Sequence, residues 1–351
     1  MKKVSKIISL LISIIMLTTL FVGCSKDKRE QISFYNYGEN IDDETIKEFE
    51  KTYNIKVNME TFDDMEAMYS KVKSGAGQYD VILVSDYIMP RMIDEKLIQT
   101  LNKDNIPNIS QMDEQYLNLE MDPENKYSVP YMFGTVGIIY NKDVVQEEVD
   151  SWDILWNEKY KDKIFMFDTY RDTIGVALKK LGYSLNSTDK NELEEAKKLL
   201  LEQRKTINPL YGVDNGTTMI PAGETDINMI WSGEGLNLQD EYPNLEYVVP
   251  KEGANFWIDS LCISSNAKNI DGAEKFINFV SDKESALRIA DEIGYTTPNK
   301  EAQKEQPENV RNNPNAYMPE EIMNRCEIYI DFPLDIKKMY DKVWTEIKSE
   351  E

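Results

Sequence analysis

The sequence predicts an α/β protein of two lobes, and three observations support this prediction. Segments with strand and helix patterns alternate from residue 32 onward in the order β-α-β-α-β, which favours a parallel sheet with helices on both faces. The third of these strands, at 80–84, is an apolar run of the kind expected when both faces are buried. The chain of 351 residues also exceeds what one ordinary hydrophobic core accommodates.

The N-terminus resembles a bacterial export signal. Three lysines precede a 17-residue apolar run and then Cys24. The ending LFVGC resembles the lipobox of lipoproteins, so we expect residues 1–23 to be removed as a signal peptide and Cys24 to carry lipid, with 24–30 as a linker. The alternative is an uncleaved membrane helix, for which the run is slightly short.

Charge and composition exclude several function classes. Cleavage leaves 328 residues and takes the net charge from −23 to −26, so nucleic acid is not an expected partner and cations are favoured. Much of this charge also fits a simple role in solubility. The chain contains no histidine, which excludes Ser-His-Asp triads, Cys-His pairs and histidine metal sites. Enzymes that use paired carboxylates remain open.

The first elements follow from residue spacing. Ile46, Phe49 and Tyr53 recur at i, i+3 and i+7 and predict an amphipathic helix. Gly75 and Gly77 end a second helix. The elements predicted up to this point are strands at 32–36, 56–60 and 80–84 and helices at 43–53 and 65–73.

The alternation continues after a strand-like segment at 127–141, whose proline and two glycines indicate passage from one lobe to the other. Leu193, Ala196 and Leu200 then show helical spacing, after a helix that stops at Gly182. The further predicted elements are strands at 164–167, 227–231, 247–249 and 255–263 and helices at 169–182, 271–281, 284–292 and 334–349.

The strand at 255–263, NFWIDSLCI, carries an aspartate in its middle. Strand alternation places Trp257 and Asp259 on one face. A buried carboxylate requires either a cationic side chain of the protein or a positive ligand from outside. Cys262 in this strand and Cys326 near the C-terminus are expected to be small core residues rather than a disulfide pair.

Several segments together resemble the spermidine/putrescine-binding proteins of bacterial ABC transporters. They follow in order across nearly the whole mature chain: FYNYGENI (34–41), YDVILVSDYIMPRM (79–92), YSVPYMFGTVGIIYN (127–141), DTYRDTIGVALKKLGYS (168–184), INMIWSGEG (227–235), VVPKEGANFWIDSLCISSNAKN (248–269) and EIGYTTPN (292–299). The resemblance implies a type II periplasmic-binding-protein fold, in which each lobe is a mixed sheet flanked by helices and the ligand lies between the lobes. It implies lobe 1 at 31–135 plus 258–303 and lobe 2 at 136–257 plus 304–351, with hinge crossovers between them.

The resemblance also implies ligand contacts around the first lobe. Asp259 is expected to hold an amine and Trp257 to line its methylenes, unless Asp259 pairs with a Lys or Arg of the chain. Tyr37 stands where relatives usually have tryptophan, and Asn40 where they have tyrosine. Asp86 is expected to be solvated. The remaining contacts implied here are Glu39, Ser85 and Tyr87, of which Ser85 alternatively caps a turn.

The second lobe is expected to supply further contacts. Relatives have two acids three residues apart where this chain has Thr169 and Asp172, and Glu234 is expected to compensate for the missing acid. Alternatively, Thr169 only caps the helix and Asp172 is only a first-turn aspartate favoured by the helix dipole. Trp231 of this lobe and Tyr295 of the first lobe are the expected aromatic walls; the alternatives are that Trp231 packs the core and that Tyr295 packs the hinge. The expected C-terminal polar contact is Tyr329 or Asp331.

The resemblance implies a receptor that delivers polyamine to membrane permease subunits driven by a separate ATPase, because the segment GAGQYD (75–80) lacks the Lys-Ser/Thr of a phosphate-binding loop. We expect no enzyme activity, cofactor or metal, and a lipid-anchored location at the outer membrane face or periplasm. The alternatives are a same-fold receptor for another small solute, a secreted carboxylate-dependent glycosidase and an adhesive lipoprotein. Thr169 and Glu234 favour putrescine or dual specificity, whereas the overall similarity favours spermidine.

Overall fold

The computed structural model describes residues 27–38, 40–213 and 215–349. The predicted signal peptide, Cys24 and Glu39 lie outside these ranges. Across the described ranges, no helix combines the length and the apolar character that a membrane crossing requires.

The described elements alternate as predicted. The strands are β1 Glu30–Tyr37, β2 Ile55–Phe62, β3 Val81–Ser85, β4 Ile98–Gln99, β5 Ser128–Asn141, β6 Ile164–Phe167, β7 Leu210–Gly212, β8 Ile227–Trp231, β9 Leu245–Val248 and β10 Phe256–Ser264. The helices are α1 Asp43–Tyr53, α2 Met65–Ser74, α3 Met89–Asp94, α4 Tyr170–Lys180, α5 Lys190–Thr206, α6 Gly216–Met219, α7 Ser232–Glu241, α8 Ile270–Val280, α9 Lys283–Ile293, α10 Lys300–Glu305, α11 Glu308–Arg311, α12 Glu320–Met323 and α13 Leu334–Ser349.

Two sheet units share the long strand β5. In the first unit β1 pairs in parallel with β2 and β3, and β10 runs antiparallel between β3 and residues 128–135 of β5. In the second unit residues 136–141 of β5 pair with β8 and β9, and β6 lies between β7 and β8. The strand order is β2-β1-β3-β10-β5-β8-β6-β7, with β4 on β10 and β9 on β5.

Alternating side chains cover both faces of the first unit. The four residues Val81–Val84 are fully buried, as expected of a strand covered on both sides. Val81 and Leu83 pack with Phe34 and Phe276 on one face, whereas Ile82 and Val84 pack with Met68 on the other. The second unit has its own core around β5, β6 and β8, and α4, α5 and α13 form a further apolar cluster beside it.

The first helix begins and ends with the expected capping chemistry. Asp42 accepts the Thr45 backbone N–H at the start of α1, and Asn54 ends that helix in the left-handed region.

The helix α7 was not predicted, because Gly233 and Gly235 in its first turns have low helix propensity.

Asp80 links three parts of the first unit just before β3. Its carboxylate accepts the backbone N–H groups of Ser33 (2.8 Å), Lys268 (2.7 Å) and Asn269 (2.9 Å), and the residue is 5% exposed. Removal of this carboxylate leaves three backbone donors without their acceptor.

We predict that Asp80→Ala lowers the free energy of unfolding by about 2–4 kcal/mol, because unsatisfied buried donors cost about 1–3 kcal/mol each and part of the cost is recovered by water. Urea denaturation measures the change. Asp63→Ala, at an exposed aspartate of the same unit, is the control and is expected to change stability by less than about 0.5 kcal/mol. Equal effects of the two substitutions would contradict the assigned role of Asp80.

Candidate functional site

Asp259 lies where β3, β10 and β5 meet. It stands opposite Ser85 of β3 and Met132 of β5, and the register of the two strands shifts directly after it, where Tyr131 of β5 has no partner in β10. Directly opposed side chains of antiparallel strands approach closely, and the Ser85 hydroxyl donates a hydrogen bond to the Asp259 carboxylate. Asp259 is only 6% exposed.

No cationic side chain neutralises Asp259 in the described part of the chain, where no Lys or Arg nitrogen lies within 4.0 Å of its carboxylate. Burial raises the pKa of Asp259 to about 6, and the Ser85 hydroxyl partly offsets this shift. The alternative prediction, that Asp259 pairs with a Lys or Arg of the chain, is therefore wrong for the described residues. A buried acid of this kind is suited to bind a positive group from outside.

An aromatic pair stands beside Asp259. The rings of Trp257 and Tyr295 meet edge to face, with centroids 5.2 Å apart and planes at 75°. Glycines make room for both rings. A Cβ on Gly134 would lie 2.5 Å from Cζ2 of Trp257, and a Cβ on Gly233 would overlap the Tyr295 ring.

Two acidic groups act on the Tyr295 hydroxyl. Burial raises the pKa of the Tyr295 hydroxyl well above its ordinary value, and the negative charges of Glu234 and Asp259 raise it further. Glu234, half-buried in the first turn of α7, and Asp259 are therefore both within electrostatic reach of one ring. A negative, aromatic-lined environment of this kind favours a cation.

A second acidic group stands at the start of α4 in the second unit. The half-buried Asp172 accepts the Thr169 hydroxyl at 2.6 Å and the Tyr329 hydroxyl at 3.1 Å. Burial raises its pKa, against the effect of both hydroxyls and of the neighbouring Arg171 charge. The Arg171 guanidinium instead stacks 4.3 Å from the Tyr329 ring and donates to the carbonyl of Ile330 and the amide of Asn186.

Asp172 likewise lacks an ion pair in the described ranges. Thr169 occupies the N-cap position but bonds the Asp172 side chain rather than a backbone N–H. Trp231, at the end of β8, is half-buried, and its ring centroid lies 4.4 Å from that of Phe167.

The other predicted residues are spread around these groups. Tyr37 ends β1 with its ring edge-on to Phe62 at 5.5 Å, and the half-buried Tyr87 follows β3. Of the two C-terminal candidates, Tyr329 reaches Asp172, whereas Asp331 forms ion pairs with Arg91 and Lys337.

The expectation that Asp86 is solvated was wrong. Asp86 is 2% exposed, and its carboxylate accepts the backbone N–H groups of Ile258 (2.9 Å) and Tyr87 (2.6 Å). These backbone partners, which side-chain polarity does not reveal, make burial possible. Burial raises the pKa of Asp86 to about 8, and the charge of Asp259 adds to the shift.

Residue spacing also missed an ion cluster that connects the two units. Arg91 of α3 donates from Nε to Asp331 at 2.7 Å and from Nη1 to Glu66 of α2 at 2.9 Å. Lys337 of α13 lies 2.7 Å from Asp331 and 3.6 Å from Glu66. The opposite charges of these four residues hold α2 and α3 against the start of α13. Arg91 and Asp331 are 240 positions apart in the sequence, so local residue spacing carries no sign of this cluster.

A surface groove of about 430 Å³ lies apart from these residues, between β9 and the segment after α11. Its amides already serve the fold, since Asn315 accepts the Val249 N–H and donates to the carbonyl of Tyr247. We therefore place the candidate site at Asp259 and Asp172.

Comparison with known families gives a match over most of the chain. A family model described as bacterial extracellular solute-binding protein matches residues 44–319. The spermidine/putrescine-binding periplasmic protein of Salmonella typhimurium is 35% identical over 325 residues, which cover 91% of this chain and 92% of that protein. The putrescine-binding periplasmic protein SpuD of Pseudomonas aeruginosa is 29% identical over 340 residues, with coverage of 90% and 91%.

Solved structures are similar over the same extent. A spermidine/putrescine ABC transporter substrate-binding protein of Streptococcus pneumoniae superposes with a TM-score of 0.85 at 37% identity, covering 91% of this chain and 98% of that one. A putative spermidine/putrescine ABC transporter protein of Listeria monocytogenes gives 0.83 at 35% identity, with coverage of 91% and 99%. These neighbours confirm the predicted two-lobed α/β fold.

The raised pKa of Asp259 gives a testable dependence of stability on pH. The folded carboxyl holds its proton up to about pH 6, whereas the unfolded one releases it near pH 4, so stability falls as pH rises between these values. The wild type loses stability as pH rises from about 4.5 to 7.5, and Asp259→Asn does not undergo this loss. We predict that the unfolding free energy of Asp259→Asn relative to the wild type is therefore about 2 kcal/mol higher at pH 7.5 than at pH 4.5. Urea denaturation at both pH values measures this difference, and a pH-independent difference would refute the assignment.

Proposed function

The chain belongs to the family of bacterial extracellular solute-binding proteins, and from this membership we propose that it is a receptor that captures polyamines outside the cytoplasm for an ABC importer. Spermidine and putrescine are the proposed ligands. The relatives are solute-binding proteins rather than enzymes, and binding without turnover is the proposed activity.

One observation carries this proposal. Asp259 in the first sheet unit and Asp172 in the second are acids with pKa values raised by burial, and neither has a Lys or Arg partner in the residues described. A polyamine carries ammonium groups at fixed spacings along an apolar chain, so one molecule can supply a positive charge to each acid. Each ammonium–carboxylate hydrogen bond contributes about 1.5–3 kcal/mol.

The aromatic residues suit the methylenes between the amines. Trp257 and Tyr295 form a wall beside Asp259, and Trp231 forms another against Phe167 at the end of β6. A ring face contributes about 0.5–2 kcal/mol to a bound cation. The further proposed contacts are Tyr37, Glu39, Ser85, Tyr87, Thr169, Glu234 and Tyr329.

We assign lobe 1 to residues 31–135 plus 258–303 and lobe 2 to 136–257 plus 304–351. The change of strand partner along β5 between Thr135 and Val136 supports this division. Bound polyamine contacts both lobes and so favours their approach, because a ligand shifts the equilibrium toward the state that it contacts more extensively.

The proposed location and partners follow from the N-terminus and the family. Lipid on Cys24 anchors the receptor at the outer face of the membrane or in the periplasm, beside permease subunits that a separate ATPase drives. Mass spectrometry of the membrane-extracted protein, showing a diacylglyceryl cysteine at position 24, would support this anchor, and an intact N-terminus from residue 1 would contradict it.

We predict that calorimetric titration of the 25–351 fragment detects binding of spermidine and putrescine below millimolar concentration but not of glutamate or a disaccharide. Asp259→Ala is expected to weaken polyamine binding by at least about 2 kcal/mol, roughly 30-fold, because it leaves an ammonium without its acceptor. Asp80→Asn is the control and should retain affinity, because this buried aspartate precedes β3, at the end of the strand opposite to Ser85. No heat with any polyamine would refute the proposed function.

We also predict that Arg91→Gln weakens polyamine binding two- to fivefold at low salt, because partly exposed ion pairs contribute about 0.2–1 kcal/mol and this one joins the two lobes. The difference should disappear near 1 M salt, where charges are screened within about 3 Å. Lys126→Gln, which breaks a pair within lobe 1, is the matched control. Equal affinities of the two variants at low salt would show that the Arg91 cluster does not assist closure.

A further inference from the structure

Asp86 occupies an unusual position directly behind the proposed amine site. Its backbone N–H donates to the carbonyl of Ile258 at 3.1 Å, and its carboxylate accepts the Ile258 N–H at 2.9 Å. The second carboxylate oxygen accepts the Tyr87 N–H at 2.6 Å. These bonds fasten the end of β3 to β10 one residue before Asp259, and therefore position both Ser85 and Tyr87.

Two buried carboxylates thus stand at adjacent positions of the site. Asp86 is 2% exposed and Asp259 is 6% exposed, and neither forms an ion pair within the ranges that the structure describes. Neighbouring acids in a low-dielectric environment do not both ionise readily, because each charge opposes the other.

The charged groups packed around this pair are mostly negative. Asp259 acts on Asp86 from β10, and Arg171 of α4 is the cation that opposes it. Glu66 and Asp64, at the start of α2, act on the neighbouring Tyr87. Tyr295 faces Asp259 and also senses the charge of Glu234.

We propose that Asp86 and Asp259 act as one proton-accepting unit, so that capture of an alkylammonium group at Asp259 expels a proton from the pair. This inference rests on the proposed polyamine-binding function. The step is an exchange: the free pair of carboxyl groups holds about one proton, the ammonium of the ligand enters with its own charge, and both carboxyl groups become carboxylates. The released proton passes to the buffer.

The raised pKa values of the two acids agree with this exchange, because burial gives about 8 for Asp86 and about 6 for Asp259. Between these values the free pair carries about one proton. The ligand-bound pair carries two negative charges, which select an ammonium terminus over a neutral group and repel the carboxylate of a zwitterion. Asp86 is therefore a positioning residue that tunes affinity without contacting the ligand.

The test is calorimetric titration of spermidine, and separately putrescine, into the 25–351 fragment at pH 7 in buffers of different ionisation enthalpy. The slope of heat against buffer enthalpy counts the protons released. We expect the wild type to release about 0.5–1 proton per ligand and therefore to gain about three- to tenfold in affinity between pH 6.5 and 7.5. Asp86→Asn should release less than about 0.3 proton and change less than about twofold over the same range.

Asp80→Asn is the matched control, since Asp80 is a buried aspartate bonded to backbone N–H groups just before β3, as Asp86 is just after it. It should release as many protons as the wild type. Equal proton release by Asp86→Asn and the wild type would show that Asp86 is only structural. Release below about 0.2 proton by the wild type itself overturns the inference whether or not the variant folds, whereas absence of polyamine binding overturns the proposed function instead.

Discussion

Asp259 is buried at the junction of three strands, accepts one hydroxyl, and has no Lys or Arg partner in the described ranges. An acid in this position costs folding free energy, and the surrounding structure offsets that cost through extensive apolar cores and the ladder of β10 with β3 and β5. Under the proposed function, the same carboxylate without a cationic partner in the described ranges is what selects a positively charged ligand. Stability and binding are therefore opposed at one side chain, as is common where polar groups serve function.

The glycines of the site show how packing determines chemistry. Gly134 has no side chain because the Trp257 ring occupies the space that a Cβ would need, and Gly233 leaves the corresponding space to Tyr295. The two rings meet edge to face beside Asp259. An aromatic wall next to an acid is thus produced by removing atoms from neighbouring elements as much as by adding aromatic groups.

Periodicity predicted most elements, and the reasons for its failures are physical. The helix Asp43–Tyr53 and the strands Ile164–Phe167 and Ile227–Trp231 have the predicted bounds, because amphipathic spacing and caps are local. The helix Ser232–Glu241 was missed because its glycines serve ring packing rather than helix propensity. Asp86 was misjudged because the Ile258 N–H, one of its two backbone partners, belongs to a strand 172 positions away. The pairing of Trp257 and Asp259 on one strand was recognisable from alternation, whereas the lack of a cationic partner required the fold.

Strand β5 supplies hydrogen bonds to β10 with its first residues and to β8 and β9 with its last. Neither half of the protein can detach without exposing a strand edge in the other, and exposed edges promote aggregation. The two halves are consequently expected to melt in a single cooperative transition rather than one after the other. A fragment cut at residue 135 would be an aggregation-prone piece rather than an autonomous domain, so dissection of this molecule must retain the whole of β5.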